Sequence, residues 1–293
     1  MTDIDAARPM PVDRGALYRD MDRATLDRAY QNGAAVPDTA AILESWRVRS
    51  AAYRRLHPAL IDQAWGAHPR QATDFFDCGV AGAPTLLFVH GGYWHYPQHS
   101  REAFSALALG LVECGVHVAF TGYRLAPEAK LAEIVGDVAT AIAHLTGLRR
   151  TVGADPLRLC VAGWSAGGQL AALAQHLPGV SACLAISGIF DLEPMRLCFV
   201  NDKLGLTPDD VSALGPIHRL PPPHARLAVS VGANELPELR RQSADYAAAC
   251  RASGIDCRLR ELPGHNHFTI LDELGSADGV LAVEVRRLLG FDL

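Results

Sequence analysis

The stretch Gly163-Trp164-Ser165-Ala166-Gly167-Gly168 constrains this chain more than any other, because it sets one serine among small residues where an apolar strand hands over to a helix. Leu157-Arg158-Leu159-Cys160-Val161-Ala162 reads as a buried strand, and Gln169-Leu170-Ala171-Ala172-Leu173-Ala174 as a helix of good formers. A sharp turn between them needs glycine on both sides of the serine, since a larger side chain would crowd its strained backbone. The geometry pushes the hydroxyl into the open and aims the helix N-terminus, with its unpaired N–H groups, at whatever the hydroxyl attacks. Such a turn is a nucleophile elbow.

From Thr73 onward, short apolar or alternating runs recur between helical segments: Thr73 to Cys78, Thr85 to Val89, Val116 to Phe120, Leu157 to Ala162, Cys183 to Ser187, Arg226 to Val231 and Cys257 to Glu261. Strands alternating with helices predict a mostly parallel sheet covered on both faces. In such sheets the reactive side chains project from loops beyond the carboxyl ends of the strands. Residues 1–70 differ, with helical patterns at Ala24 to Asn32 and Asp38 to Leu56, Asp38 as a candidate N-cap after Pro37, and little that reads as strand. A chain of 293 residues that is 49% hydrophobic can bury one large core. One domain is therefore expected, an N-terminal helical cap segment over 1–70 followed by a catalytic core over 71–293. Pro221-Pro222-Pro223 is a stiff connector before a strand, not a domain linker.

A net charge of −5 gives no electrostatic reason to expect nucleic acid or anionic membrane as a partner, so a small-molecule substrate fits better. Met1 to Pro11 lacks the apolar core of a secretory signal, and no stretch reads as a membrane span, which points to the cytoplasm. Seven scattered cysteines without a Cys-x-x-Cys pair read as reduced, mostly buried small residues. The sequence permits a homodimer.

Serine is a poor nucleophile at neutral pH and needs a base, which needs an orienting carboxylate. After the run Arg226 to Val231 comes Gly232-Ala233-Asn234-Glu235-Leu236-Pro237-Glu238, with Glu235 on the loop before a helix starting near Pro237. After Cys257 to Glu261 comes Pro263-Gly264-His265-Asn266-His267-Phe268. The resulting order, Ser165, Glu235, His267, is that of a strand-built hydrolytic triad. Asp191 and Glu238 compete for the acid, and His265 is the nearest rival to His267. Asp191 also reads as a turn or helix-cap carboxylate. His57, His68, His117, His144, His176, His218 and His224 read as surface or satisfied core residues. A His265/His267 metal pair lacks further ligands at recognisable spacing, so neither metal nor cofactor is expected.

His90-Gly91-Gly92-Tyr93-Trp94 directly follows the strand run Leu86 to Val89. Glycines there let backbone N–H donors approach a developing oxyanion, and each such donor carries about 3–4 kcal/mol in the transition state. Gly91, Gly92 and Ala166 are the expected donors, with Tyr93 an alternative to Gly91. Tyr93, Trp94 and Trp164 are expected to line the pocket, with His95 and Tyr96 beside them.

His90 to Trp94, Gly163 to Gly168, Glu235-Leu236-Pro237-Glu238 with Arg241-Gln242-Ser243, and His267-Phe268 together resemble the kynurenine formamidase (arylformamidase) branch of the α/β-hydrolases. Tyr123-Arg124-Leu125-Ala126-Pro127-Glu128 is similar to the neighbouring hormone-sensitive-lipase-like esterases. The resemblance runs from about residue 73 onward and extends to the N-terminal helical segment. It implies an α/β-hydrolase fold and metal-free hydrolysis of N-formyl-L-kynurenine to kynurenine and formate. A general carboxylesterase is the alternative, and a non-catalytic ligand-binding protein on the same fold is a third. Relatives usually carry aspartate where Glu235 stands, and many have Ser-Pro in place of Gly215-Pro216.

Overall fold

A computed structural model describes residues 16–57 and 59–291; the Met1 to Pro11 stretch lies outside the described residues. Eight strands form one sheet: β1 (Leu60–Ala64), β2 (Ala72–Phe76), β3 (Thr85–Val89), β4 (His117–Thr121), β5 (Leu159–Trp164), β6 (Ala182–Ile186), β7 (Arg226–Gly232) and β8 (Cys257–Leu262). Their order is β1-β2-β4-β3-β5-β6-β7-β8. β3 to β8 run parallel, while β2 pairs antiparallel with β4 and with β1. Chain order reverses across β3, which has β4 on one side and β5 on the other. That reversal leaves a crevice at the carboxyl ends of β3 and β5.

The helices are α1 (Arg23–Ala29), α2 (Asn32–Ala35), α3 (Thr39–Leu56), α4 (Leu109–Glu113), α5 (Leu131–Thr151), α6 (Ala166–Ala174), α7 (Glu193–Leu197), α8 (Asn201–Leu204), α9 (Pro208–Leu214), α10 (Pro237–Ala252), α11 (Asp272–Gly275) and α12 (Val280–Leu288). The period of two in each strand sends alternate side chains to opposite faces. Leu87, Val89 and Val161 join Ile134 of α5, Leu170 of α6 and Tyr246 of α10 in one apolar cluster. Leu86, Phe88 and Ala162 join Trp46 of α3, Leu111 of α4 and Val285 of α12 in the other. Both faces are thus covered, as the alternating pattern requires. α5 is long and apolar enough by length and composition to cross a membrane, which the sequence reading did not foresee. Its Leu131, Ile134, Val138, Ile142 and Leu145 are buried in the core.

Two expectations for residues 16–70 need correction. β1 is a strand where the sequence showed little strand character; it is a short edge strand whose ladder to β2 breaks register between Leu60 and Gln63. Asp62 stands there at φ 54 with its N–H given to Asp74 Oδ1 at 2.8 Å, so the strand is held by that tie as well as by its ladder. The first helix stops at Ala29 rather than Asn32 because tertiary bonds override propensity: the Tyr30 carbonyl accepts the Tyr93 hydroxyl. Asp38 occupies the N-cap of α3, but its side chain makes no capping bond.

Candidate active site

β5 ends at Trp164 and α6 begins at Ala166, so Ser165 alone makes the turn, at φ 58 and ψ −119. A non-glycine residue there is strained by about 1–3 kcal/mol. Its N–H donates to the Ile186 carbonyl at 2.8 Å, and its own carbonyl accepts from Gly168 N–H at 2.9 Å. A Cβ on Gly163 would collide with the Gly167 carbonyl, so the turn closes only around glycine.

Beyond β8, His267 directs Nε2 at Ser165 Oγ, 3.1 Å away. Its Nδ1 lies 2.7 Å from Glu235 Oε2. A carboxylate only accepts, so Nδ1 carries the proton and Nε2 faces the hydroxyl with a lone pair. Glu235 is itself fixed: its other oxygen accepts Ser187 Oγ–H at 2.6 Å and Gly232 N–H at 2.7 Å. Those two bonds take up the extra methylene of glutamate. The Trp164 indole N–H donates to the His267 carbonyl at 2.7 Å, tying the base loop to the elbow strand.

The rivals are engaged elsewhere. His265 faces the Thr269 carbonyl and Glu273, each at 3.2 Å. Asp191 accepts the Tyr18 hydroxyl at 2.7 Å and Glu193 N–H at 2.9 Å, which is turn chemistry. Glu238 pairs with Arg241 at 2.7 Å. Ser187 was not singled out, although its place at the end of β6 before Gly188 was a usable signal; it stands at φ 50.

Gly91 is pressed against the elbow, where a Cβ would lie 3.0 Å from Ser165 Cβ. The N–H groups of Gly91, Gly92, Tyr93 and Ala166 donate to no acceptor among the described residues. Tyr93 and Trp94 both adopt left-handed φ values, 48 and 59, and are held there by their side chains. The Tyr93 hydroxyl donates to the Tyr30 carbonyl and accepts Asn32 Nδ2–H at 2.9 Å. Trp94 is fully buried and gives its indole N–H to Gln169 at 3.1 Å, while Gln169 donates to the Leu214 carbonyl at 2.9 Å. Trp94 therefore braces the loop from behind and is not in the cavity wall, contrary to the sequence expectation. Its indole is the largest apolar surface in the loop, and the core takes it.

A cavity of about 320 Å³ opens above Ser165 and His267. Tyr93 and Trp164 line it, with Tyr96, Phe199 and Phe268; Asn32, Thr39 and Leu43 come from the N-terminal segment. His99 also lines it, its ring parallel to Trp164 at 5.8 Å. Burial, then the nearby His267 and Arg70, hold its pKa down at about 4. An unfolded histidine binds its proton near 6.5, so between the two values the unfolded chain holds more protons and stability falls as pH falls. The expected loss between pH 6.5 and 4 is on the order of 3 kcal/mol from this ring. Urea unfolding at pH 7 and pH 5 should show a smaller difference in His99→Phe than in the parent; an unchanged difference would reject this account.

Residues 86–215 match a family model for the alpha/beta hydrolase fold. Kynurenine formamidase of Salmo salar is 30% identical over 221 residues, which span 71% of this chain and 73% of the relative. This chain belongs to the kynurenine formamidase family of α/β-hydrolases. Among solved structures, a Silicibacter protein provisionally named a thioesterase matches this formamidase-family hydrolase with a TM-score of 0.81 and 26% identity, over 89% of this chain and 98% of that one. Ethyl acetate hydrolase of Pseudomonas putida is 28% identical over 65% of this chain and 67% of its own length. Formamide-cleaving and ester-cleaving relatives thus share this framework, and the chain is an enzyme of the serine hydrolase type.

Proposed function

We propose that this enzyme hydrolyses an aryl formamide of the N-formyl-L-kynurenine kind through a formyl-enzyme. The observation that carries the reading is the unbroken chain from Ser165 Oγ to His267 to Glu235, at 3.1 and 2.7 Å, on a floor of unused backbone N–H donors. The kynurenine formamidases among the relatives point the same way. His267 takes the Ser165 proton as Oγ attacks the formyl carbon, and the oxygen that gains charge is held by the N–H groups of Ala166, Gly92 and Gly91 or Tyr93. His267 then passes its proton to the departing aniline nitrogen. Water, deprotonated by His267, attacks the formyl ester and releases formate, returning the proton to Ser165.

The aromatic walls suit an aryl leaving group. The described part of the N-terminal segment acts as the cap, supported by the cavity-facing positions of Asn32, Thr39 and Leu43. The seven free cysteines, five of them buried, support a reducing compartment such as the cytoplasm.

Purified enzyme should hydrolyse N-formyl-L-kynurenine with kcat/KM at least tenfold above that for p-nitrophenyl acetate. The ester-cleaving relative favours the second reading, a carboxylesterase, and the reverse ranking would establish it in place of the first.

A further inference from the structure

At the end of the sheet opposite Ser165, three metal-ligating side chains converge: Asp77, Cys78 and His117. One ligand atom from each lies within 4.8 Å of the other two. β2 ends at Phe76 and His117 opens β4, so the trio sits just past the last pair of the β2–β4 ladder, Phe76 with Val118. The five residues of β4, roughly 16 Å of strand, separate it from the catalytic end.

His117 is fully buried, and Phe75 packs against its ring at 5.5 Å. Its Nδ1 lies 3.0 Å from Asp77 Oδ1, 3.5 Å from Cys78 Sγ and 3.2 Å from the Cys78 backbone nitrogen, while Nε2 has no partner among the described residues. No proton position satisfies this ring. A proton on Nδ1 opposes the Cys78 N–H; with Nδ1 bare, its lone pair meets the Asp77 carboxylate and Nε2–H stays unpaired. A cation at Nδ1 removes the conflict, because lone pair, carboxylate and thiolate then all face positive charge. The Cys78 N–H gives up its acceptor, and Cys78 is exposed enough for water to replace it. Arg149 of α5 is a neighbouring cation, and Asp155 beside it offsets its charge.

The convergence also decides between two chemistries. A nucleophilic relay needs its nucleophile on one ring nitrogen and its carboxylate on the other, as Ser165, His267 and Glu235 are arranged. Sγ and the carboxylate of this trio both face Nδ1, so no proton can pass through the ring. Three donors around one shared point form a coordination site instead. Tetrahedral zinc, with bonds of about 2.0–2.1 Å to nitrogen and oxygen and about 2.3 Å to sulfur, sets N···O at about 3.3 Å and N···S at about 3.6 Å. The observed 3.0 and 3.5 Å lie close to both. Asp77 Oδ1 also accepts Gly79 N–H at 2.7 Å, which holds the carboxylate in place, and the Asp77 side chain is 43% exposed, which gives the ion a way in.

We propose that Asp77, Cys78 Sγ and His117 Nδ1 bind a zinc ion that clamps the end of β2 to the start of β4, with water as the fourth ligand. Thiolate and carboxylate together neutralise its charge. The thiol proton leaves to solvent as the S–Zn bond forms.

The test titrates Zn²⁺ into the full-length protein after dialysis against EDTA, by calorimetry. One ion per chain should bind with a Kd of about 1 µM or below and raise Tm. Cys78→Ala and Asp77→Asn should each weaken that affinity ~10-fold or more and remove the rise in Tm at the same zinc concentration. Both positions lie outside the strands and are at least partly exposed, so these variants avoid the folding risk of replacing His117. Co²⁺ in place of zinc should give a thiolate-to-metal charge-transfer band that Cys78→Ala erases. Failure of zinc to saturate one site, no rise in Tm, an affinity that either substitution leaves intact, or a cobalt complex without the thiolate band overturns the proposal.

Discussion

Ser165→Ala is expected to lower kcat on an aryl formamide by roughly 10⁴- to 10⁶-fold, because the substitution removes the hydroxyl that His267 faces and that is placed to be acylated. The residual rate should come from the oxyanion donors and from binding, which the change leaves intact. His267→Ala should cost about as much, and the double variant little more than either alone, since nucleophile and base act as one unit. Stability should separate from activity. Serine at φ 58 already bears the strain of the turn, and alanine inherits it, so the thermal midpoint should hold. Ser165→Gly should be more stable than Ser165→Ala, since glycine adopts positive φ freely. Stopped-assay formate release with differential scanning calorimetry on the same preparations checks both halves. Activity within tenfold of the parent in Ser165→Ala would mean that another group attacks the carbonyl.

Chemistry tied to a strand end was legible in the sequence; chemistry tied to a fold in the cap was not. Gly163 to Gly168 could be placed because a strand, a glycine-bounded turn and a helix are each local patterns, and Glu235 and His267 could be placed by looking after later strands. Ser187 escaped notice because its role depends on β6 and β7 lying side by side, which brings residues 48 apart in sequence to 2.6 Å. Trp94 misled for a related reason. An aromatic beside a candidate oxyanion loop reads as pocket lining, yet its left-handed backbone turns the indole toward Gln169. The N-terminal segment was the least readable part. Tyr30, Asn32 and Trp46 take their meaning from Tyr93 and Trp164, all contacts made across more than 60 residues of chain.

Glu235→Gln should lower kcat by roughly 10³- to 10⁴-fold, although it changes neither size nor shape. The carboxylate has three tasks: it accepts from His267 Nδ1–H with one oxygen and from Ser187 and Gly232 with the other. Glutamine has a single oxygen. If that oxygen stays with Ser187 and Gly232, the amide NH₂ points at His267 and forces Nδ1 to accept, moving the ring proton to Nε2, where it faces Ser165 and blocks proton transfer. If the amide turns the other way, two donors at 2.6 and 2.7 Å meet an NH₂ group, and the loop after β7 must shift. Either outcome disables the base, and either leaves a folded protein, which circular dichroism should confirm. Aspartate is one methylene too short to span Ser187, Gly232 and His267 together, so Glu235→Asp should also lose rate, by roughly tenfold. Ser187→Ala should lose a similar factor and should cost less in the Glu235→Asp background than alone, because that background has already given up the contact. A Glu235→Gln enzyme within tenfold of the parent would return the acid role to Asp191 or Glu238, and the distances from His267 would then have to change during turnover.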